Sequence, residues 1–381
     1  MRKVMLVIAS LGGGGAERAM TQLADALVDQ GVEVHLVTWA GSATGDFYPV
    51  DPRVHRHKLN SDTARPGLVR RLTRGLSVIV YLRALMRRIA PDCVLSFIDQ
   101  SNVLTLAAAT GLPVRVVVAE RIDPRANDTL GRGWALARLL TYPRAQLVVA
   151  QTDAVATWMA RHWRVRTAVI PNFLRSLPEP MNERQPCLLS VGRLVPQKAF
   201  DVSIRAFASI AQRHPEWRYV ILGEGPCRDE WMNLCHRLGV SERVHFAGLV
   251  DNVEHWLAQA SIAVQPSRFE GFPNAVMEAM AMGVATISTD CPSGPADLIE
   301  HMRNGVLVPV DDVQAVAQAT DQLMSDPSLR QSLGSRAMSV REMLSPRSIM
   351  AKWHTALALG PTTLGITTAE KTIPKTYGEE R

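Results

Sequence analysis

The stretch IAVQPSRFEGFPNAVMEAMAMGVATIS, residues 262–288, contains a complete strand–turn–helix–strand unit. Its ends, Ile262–Gln265 and Ala285–Ser288, are short, largely apolar runs without polar alternation. Such runs read as strands covered on both faces, and the helix-like AVMEAMAMG between them is the crossover that parallel neighbours require. Strand and helix are separated by Phe269-Glu270-Gly271-Phe272-Pro273-Asn274, where Gly and Pro interrupt both patterns.

The same alternation runs outward through the chain. Val4–Ile8, Val32–Thr38, Cys93–Phe97, Val114–Ala119 and Leu147–Ala150 read as strands separated by helical patterns. After Pro171 the series restarts with Cys187–Val191, Tyr219–Gly223 and Val244–Ala247. Two such series imply an α/β protein of two doubly wound, Rossmann-like domains, residues 1–172 and 187–345. The proline-rich residues 173–186 read as the linker, residues 346–359 as a terminal helix, and the polar, threonine-rich 360–381 as a disordered tail. Ligands of open parallel sheets bind beyond the carboxyl ends of the strands, so two facing sheets enclose a cleft.

At 381 residues with 47% hydrophobic and 20% charged side chains, the chain is globular and long enough for two domains. Its net charge of +6 is uneven: residues 1–180 carry 23 Lys and Arg against 14 Asp and Glu, whereas the remainder is slightly acidic. A basic half suggests a polyanionic partner. Zinc spacings and RNP-like strands are absent from the sequence, so nucleic acid is not expected. The five scattered cysteines, Cys93, Cys187, Cys227, Cys235 and Cys291, read as reduced thiols of a cytosolic protein. The N-terminal apolar run breaks into glycines too early for a signal peptide, and no stretch approaches the roughly 20 apolar residues of a membrane span.

The turn after Gln265 carries the chemistry. Glu270 falls on the loop and Glu278 early in the following helix, whose first N–H groups, at Asn274 and Ala275, are expected free. Free donors and the helix dipole favour a diphosphate there, while the two carboxylates accept from sugar hydroxyls. A nucleotide-sugar fits this combination; two solvated helix-end carboxylates are the plainer alternative.

The segment resembles the Glu-x7-Glu signature of the family 4 retaining glycosyltransferases, and Gly192-Arg193 with Lys198 is similar to that family's donor-phosphate motif. The resemblance covers most of residues 1–359 and implies a GT-B fold whose terminal helix crosses back to the first domain. It implies Arg193, Lys198 and Glu270 as catalytic groups, with Glu278 on the ribose and Glu270 on the donor sugar. Gly192, Gly271, Phe272, Pro273, Asn274 and Ala275 line the donor, and Glu224, Gly225, Pro226, Leu249 and Val250 are similar to loops that hold the base. Gly13, Gly14 and Gly15, in the turn after the first strand, resemble a glycine loop of members that build lipid-linked glycans, several of which use N-acetylhexosamine donors. Neither a P-loop nor a G-x-G-x-x-G pattern is present there.

Three departures from the family stand out: Ala199 follows Lys198 where Gly is common, Asp297 replaces a usual Glu after Ser293-Gly294-Pro295, and a histidine near the end of the fourth strand is missing. His35, His55 and His57 read as surface or strand-end residues. Asp99, Glu120, Arg121 and Asp123 follow strand ends and are acceptor-pocket candidates, helix capping being their competing role. Asp311-Asp312 reads as a helix N-cap and no Asp-x-Asp motif is evident, so neither a metal nor a cofactor is expected.

Residues 65–88 hold seven arginines and no acid, interleaved with leucines, which suggests a peripheral contact with anionic membrane on the cytoplasmic face; a core-packing helix with a basic rim competes. The expected activity is transfer of a sugar, an N-acetylhexosamine, from a UDP-sugar to a lipid-linked or polysaccharide acceptor. Competing readings are a hexosyltransferase, a sugar-nucleotide epimerase and a nucleotide-sugar-binding regulator.

Overall fold

The computed structural model describes residues 2–12, 14–40, 46–61, 68–125, 131–175, 177–180 and 183–359, with the side chains of 60–73 and 132 outside that description. Gly13 and residues 360–381 therefore lie outside the described residues, as do the side chains of Arg65, Arg70 and Arg71.

The first sheet contains β1 (Lys3–Ile8), β2 (Glu33–Ala40), β3 (His55–Ser61), β4 (Cys93–Phe97), β5 (Arg115–Ala119), β6 (Leu147–Ala150) and β7 (Thr167–Val169). Their order is β3-β2-β1-β4-β5-β6-β7, with every pairing parallel. The second contains β8 (Gln185–Val191), β9 (Arg218–Leu222), β10 (Val244–Gly248), β11 (Ala260–Gln265), β12 (Ala285–Thr289) and β13 (Val306–Val308), ordered β10-β9-β8-β11-β12-β13 and again parallel. β11 and β12 are the two apolar runs of the 262–288 unit, paired from Ile262↔Ala285 to Gln265↔Ser288.

Three strands escaped the sequence pattern. β3 reads HRHKLNS, a polar edge strand without an apolar run, and β7 and β13 are three residues each. β8 begins at Gln185, inside the stretch read as linker.

The helix Pro346–Leu357 packs against the first sheet. Trp353 is 2% exposed and stacks on Phe97 of β4, ring centroids 5.9 Å apart. Burying an indole removes roughly 200 Å² from water, worth about 5 kcal/mol as an upper estimate. Arg115 of β5 donates to the Ala356 carbonyl at 3.0 Å, satisfying a terminal helix acceptor. Val276, Met277 and Met280, from the helix Asn274–Ala281, belong to the same apolar cluster as β1 and Trp353. That shared cluster joins the carboxyl ends of the two sheets.

Candidate active site

The loop after β8 and the loop after β11 are bound to each other. Arg268 N–H donates to the Gln197 carbonyl (2.8 Å) and Gln197 Nε2 to the Phe269 carbonyl (2.8 Å). Between them Lys198 Nζ meets Glu270 Oε1 at 2.6 Å, with side chains 16% and 9% exposed. Ser267 Oγ donates to the same oxygen at 2.6 Å, and Ser293 Oγ to the Glu270 carbonyl at 2.6 Å. Ala199 lies at φ 51°, ψ 36°, the left-handed conformation that glycine adopts without cost. The turn at Lys198 thus accommodates alanine where the resembling family commonly has glycine.

The loop after β8 is also stitched edge to edge with the loops after β9 and β10. Gly192 N–H bonds the Leu222 carbonyl (2.9 Å), Leu194 N–H the Glu224 carbonyl (2.9 Å) and Gly223 N–H the Gly248 carbonyl (2.7 Å). A Cβ on Gly225 would fall on the Leu194 backbone, so this approach requires glycine. Arg193, Glu224, Pro226 and Leu249 are exposed, with Val250 half-buried.

Glu278 stands in the second turn of Asn274–Ala281, 4% exposed. Arg18, from the first turn of the helix Gly15–Asp29, reaches Glu278 Oε1 at 3.1 Å. Arg175 Nε lies 3.3 Å from the same oxygen, while its Nη1 holds Glu254 at 2.9 Å. The half-buried Glu17 carboxyl is pushed up by burial, offset in part by Arg193 across the cleft. Tyr48, raised by burial, also feels Arg18, Glu17 and Glu278. Gly15 abuts Asn274: a Cβ on it would lie 3.3 Å from Asn274 Nδ2. One expectation fails, because Asn274 N–H is engaged by the Phe272 carbonyl at 3.0 Å. The Pro273 turn folds the chain back tightly enough to take that donor.

From the first sheet, Arg121 lies 4.5 Å above the Phe97 ring and donates to Asn172, whose Nδ2 donates to Asn274 Oδ1 at 2.8 Å. Arg121 is 7% exposed, and no carboxylate pairs with it among the described residues. Burial pulls its guanidinium down to about 9, still protonated at neutral pH. A Cβ on Gly271 would strike the Arg121 carbonyl oxygen, so the two domains touch through a bare glycine. Asp123 is 2% exposed and holds Arg125 at 2.6 Å, and Arg125 in turn donates to the Pro292 carbonyl (3.2 Å) in the second domain.

Glu120 is engaged from within the first domain. It accepts from the buried Tyr142 hydroxyl, has Arg138 at 3.8 Å, and is pushed up to about 7 by burial. Asp99 is also buried and binds Gln100 N–H at 2.6 Å, beginning the helix Asp99–Ala109. It follows Ile98 at φ 73°, a strained conformation for a β-branched residue. Asp99 and Glu120 are 8% and 5% exposed, as buried as Glu270 and Glu278.

Lys198, Glu270, Glu278 and Asn274 therefore converge with Gly15, Arg18 and Arg121 at the carboxyl ends of the two sheets. Sequence reasoning assigned no role to Arg18, Tyr48, Asn172, Arg175 or Ser267. Only Arg18 had a local signal, its place one turn past the glycines. Glu33, His35 and His55, which offer ligand atoms within 4.8 Å of one another, are the group among the described residues that could hold a metal. They sit at the starts of β2 and β3, the end of the sheet away from the cleft.

Two family profiles match consecutive parts of the chain: glycosyltransferase family 4 over residues 13–175 and glycosyl transferases group 1 over residues 177–340. The chain belongs to glycosyltransferase family 4. Similar to it is the GalNAc-α-(1→4)-GalNAc-α-(1→3)-diNAcBac-PP-undecaprenol α-1,4-N-acetyl-D-galactosaminyltransferase of Campylobacter jejuni, 26% identical over 367 residues, 94% of this chain and 99% of that relative. An exopolysaccharide phosphotransferase of Streptomyces coelicolor is 32% identical over 265 residues, 68% of this chain, which spans 28% of that relative's length. Among solved structures, HepE of Anabaena in complex with UDP superposes with a TM-score of 0.76 at 18% identity, covering 94% of this chain and 100% of that one. This family 4 glycosyltransferase has the GT-B fold.

Proposed function

We propose that this glycosyltransferase retains anomeric configuration and moves an N-acetylhexosamine from a UDP-sugar to a lipid-linked or polysaccharide acceptor, without a catalytic metal. The Lys198–Glu270 pair beside the start of Asn274–Ala281 carries the proposal. A fixed cation and a helix N-terminus stabilise charge on a departing nucleoside diphosphate, and one such contact can contribute about 3 kcal/mol in a closed cleft. Arg193 adds a second cation at the exposed rim of the same loop. Glu270, its carboxylate held by Ser267 and its carbonyl by Ser293, serves the donor sugar, and Glu278 serves the ribose. The departing phosphate takes the acceptor proton on the face it leaves, which keeps the configuration. The loops carrying Glu224, Gly225, Pro226, Leu249 and Val250 form the base end, and Gly13, Gly14 and Gly15 the sugar side.

Support for a UDP donor comes from HepE, solved with UDP, and support for a lipid-linked acceptor from the C. jejuni relative, named for an undecaprenol-linked substrate. Arg121, a buried cation that no carboxylate pairs with among the described residues, is suited to an anionic acceptor group.

A peripheral site on the cytoplasmic face of an anionic membrane accompanies this reading. Among the described residues no helix is long and apolar enough to cross a membrane. In the helix Leu68–Ile89, Arg83 is tied to the Ala108 and Thr110 carbonyls, whereas Arg87 and Arg88 are exposed. The helix Arg132–Thr141 exposes Leu136, Leu139 and Leu140 by 57, 49 and 60%, an i, i+3, i+4 apolar face suited to the acyl boundary.

The deciding experiment offers UDP-GalNAc, UDP-GlcNAc, UDP-Glc, UDP-Gal and GDP-Man with a polyprenyl-diphosphate-linked glycan. Nucleotide release only with acceptor, best with an N-acetylhexosamine donor and undiminished by EDTA, is expected. Epimer formation without acceptor would overturn the transfer reading, and rescue of an EDTA-inhibited enzyme by Mg²⁺ the metal-free one.

A further inference from the structure

Glu278 has two arginine partners on one oxygen, and they come from separate segments of the chain. Arg18 arrives from the helix Gly15–Asp29 of the first domain, 260 positions away in sequence, and Arg175 from the interdomain crossing. Arg175 is shared between two carboxylates as an ion pair, its Nη1 2.9 Å from Glu254 and its Nε 3.3 Å from Glu278, and neither contact is a directed hydrogen bond. Arg18 Nη2, by contrast, makes a directed hydrogen bond to Glu278 Oε1 at 3.1 Å, and its side chain is 29% exposed against 6% for Glu278. The exchangeable member of this cluster is therefore Arg18.

A sugar diol and a guanidinium compete for the same carboxylate lone pairs, because both approach as paired donors. A ribose diol that takes both carboxylate oxygens of Glu278 displaces the Arg18 contact at Oε1. The released guanidinium then stays in a cleft that already holds Arg121, Arg175, Arg193 and Lys198, and a further cation there is unfavourable unless an anion enters with the ribose. A nucleoside diphosphate brings both: a diol for Glu278 and a diphosphate for Arg18. Arg18 sits in the first turn of its helix, and that helix begins against Asn274, so freed Arg18 points into the meeting place of the two helix starts.

We propose that Arg18 is a partner-exchanging anion-binding residue, held by Glu278 in the empty enzyme and transferred to the donor diphosphate when ribose takes the carboxylate. The exchange rests on the donor-site reading above. It makes a bare nucleoside a poor ligand, since ribose alone strands the arginine, and so biases the site toward phosphorylated nucleotides.

The proposal predicts opposite signs for two ligands of one variant. In calorimetric titrations of the full chain, Arg18→Gln should bind uridine several-fold more tightly than wild type, because a competitor for Glu278 is gone. The same variant should bind UDP roughly ten-fold more weakly, because a phosphate contact is lost. Guanosine with GDP and adenosine with ADP run in parallel, so an unexpected base does not hide the effect. Should Gln at this position unfold the chain in a thermal melt, Arg18→Met keeps the aliphatic stem and removes the same charge. Uridine affinity that is unchanged or lowered, or UDP affinity that is unchanged, overturns the exchange. Wild type binding none of the three nucleoside diphosphates instead removes the donor-site reading itself.

Discussion

Replacing Lys198 with Met would test the centre of the site most directly, because the side chain keeps its length and loses its charge. The ammonium lies 2.6 Å from Glu270 Oε1, and both side chains are largely buried. Removing one partner of a buried pair typically costs about 3–5 kcal/mol, since the remaining charge is stranded. Glu270 retains the Ser267 hydroxyl at 2.6 Å, a charge-assisted hydrogen bond worth about 1.5 kcal/mol or more. The expected loss is therefore about 2–3 kcal/mol, a fall in melting temperature of roughly 5–10 °C for a unit of this size. Turnover should drop about 100-fold or more, the usual effect of deleting one charge-stabilising donor. Adding Glu270→Gln removes the stranded charge, so the double variant should melt within a few degrees of wild type yet remain at least 100-fold slower. Calorimetry and acceptor-dependent nucleotide release measure the two quantities separately. Lys198→Met turning over within about three-fold of wild type would refute the charge-stabilising role. A double variant no more stable than the single one would refute the stranded-charge estimate.

Three further outcomes are expected. Gly271→Ala places a methyl on the Arg121 carbonyl oxygen, so the domains should be held apart and turnover should fall about ten-fold or more, with a larger radius of gyration by solution scattering; unchanged values would mean the contact yields freely. Glu120, pushed up from 4.5 to about 7 by burial, binds its proton more tightly folded than unfolded, so its contribution to stability is fully present below about pH 4.5 and lost as pH rises through about 7. That contribution is about 3 kcal/mol at most, and Glu120→Gln should flatten this part of a denaturant-stability profile, the decline persisting in the variant being the contrary result. Serine at Leu136, Leu139 and Leu140 should reduce flotation with vesicles containing anionic lipid; equal flotation would leave these leucines without a membrane role.

Legibility from sequence followed the range of each interaction. The run of β11, turn, helix and β12 was readable because apolar burial on both faces and the Gly-Pro interruption are local properties. The polar β3 was not readable, because its membership in the sheet comes from pairing with β2 rather than from its own composition. Lys198 and Glu270 were each recognisable in a motif, but their 2.6 Å contact spans 72 positions and exists only because β8 and β11 are neighbours. Glu120 was a pocket candidate by its place after β5, but its bond with the buried Tyr142 hydroxyl, 22 positions away, had no local signal.

Strand–helix alternation and the two-domain plan were thus settled by composition and spacing, because hydrophobic period and turn chemistry act over a few residues. Tertiary structure alone decided which charges meet. Arg18, Arg175 and Glu278 share one oxygen only after two separately folded sheets bring their carboxyl ends together. No local pattern specifies such a meeting, since its energy depends on burial and on distances the chain acquires only when folded.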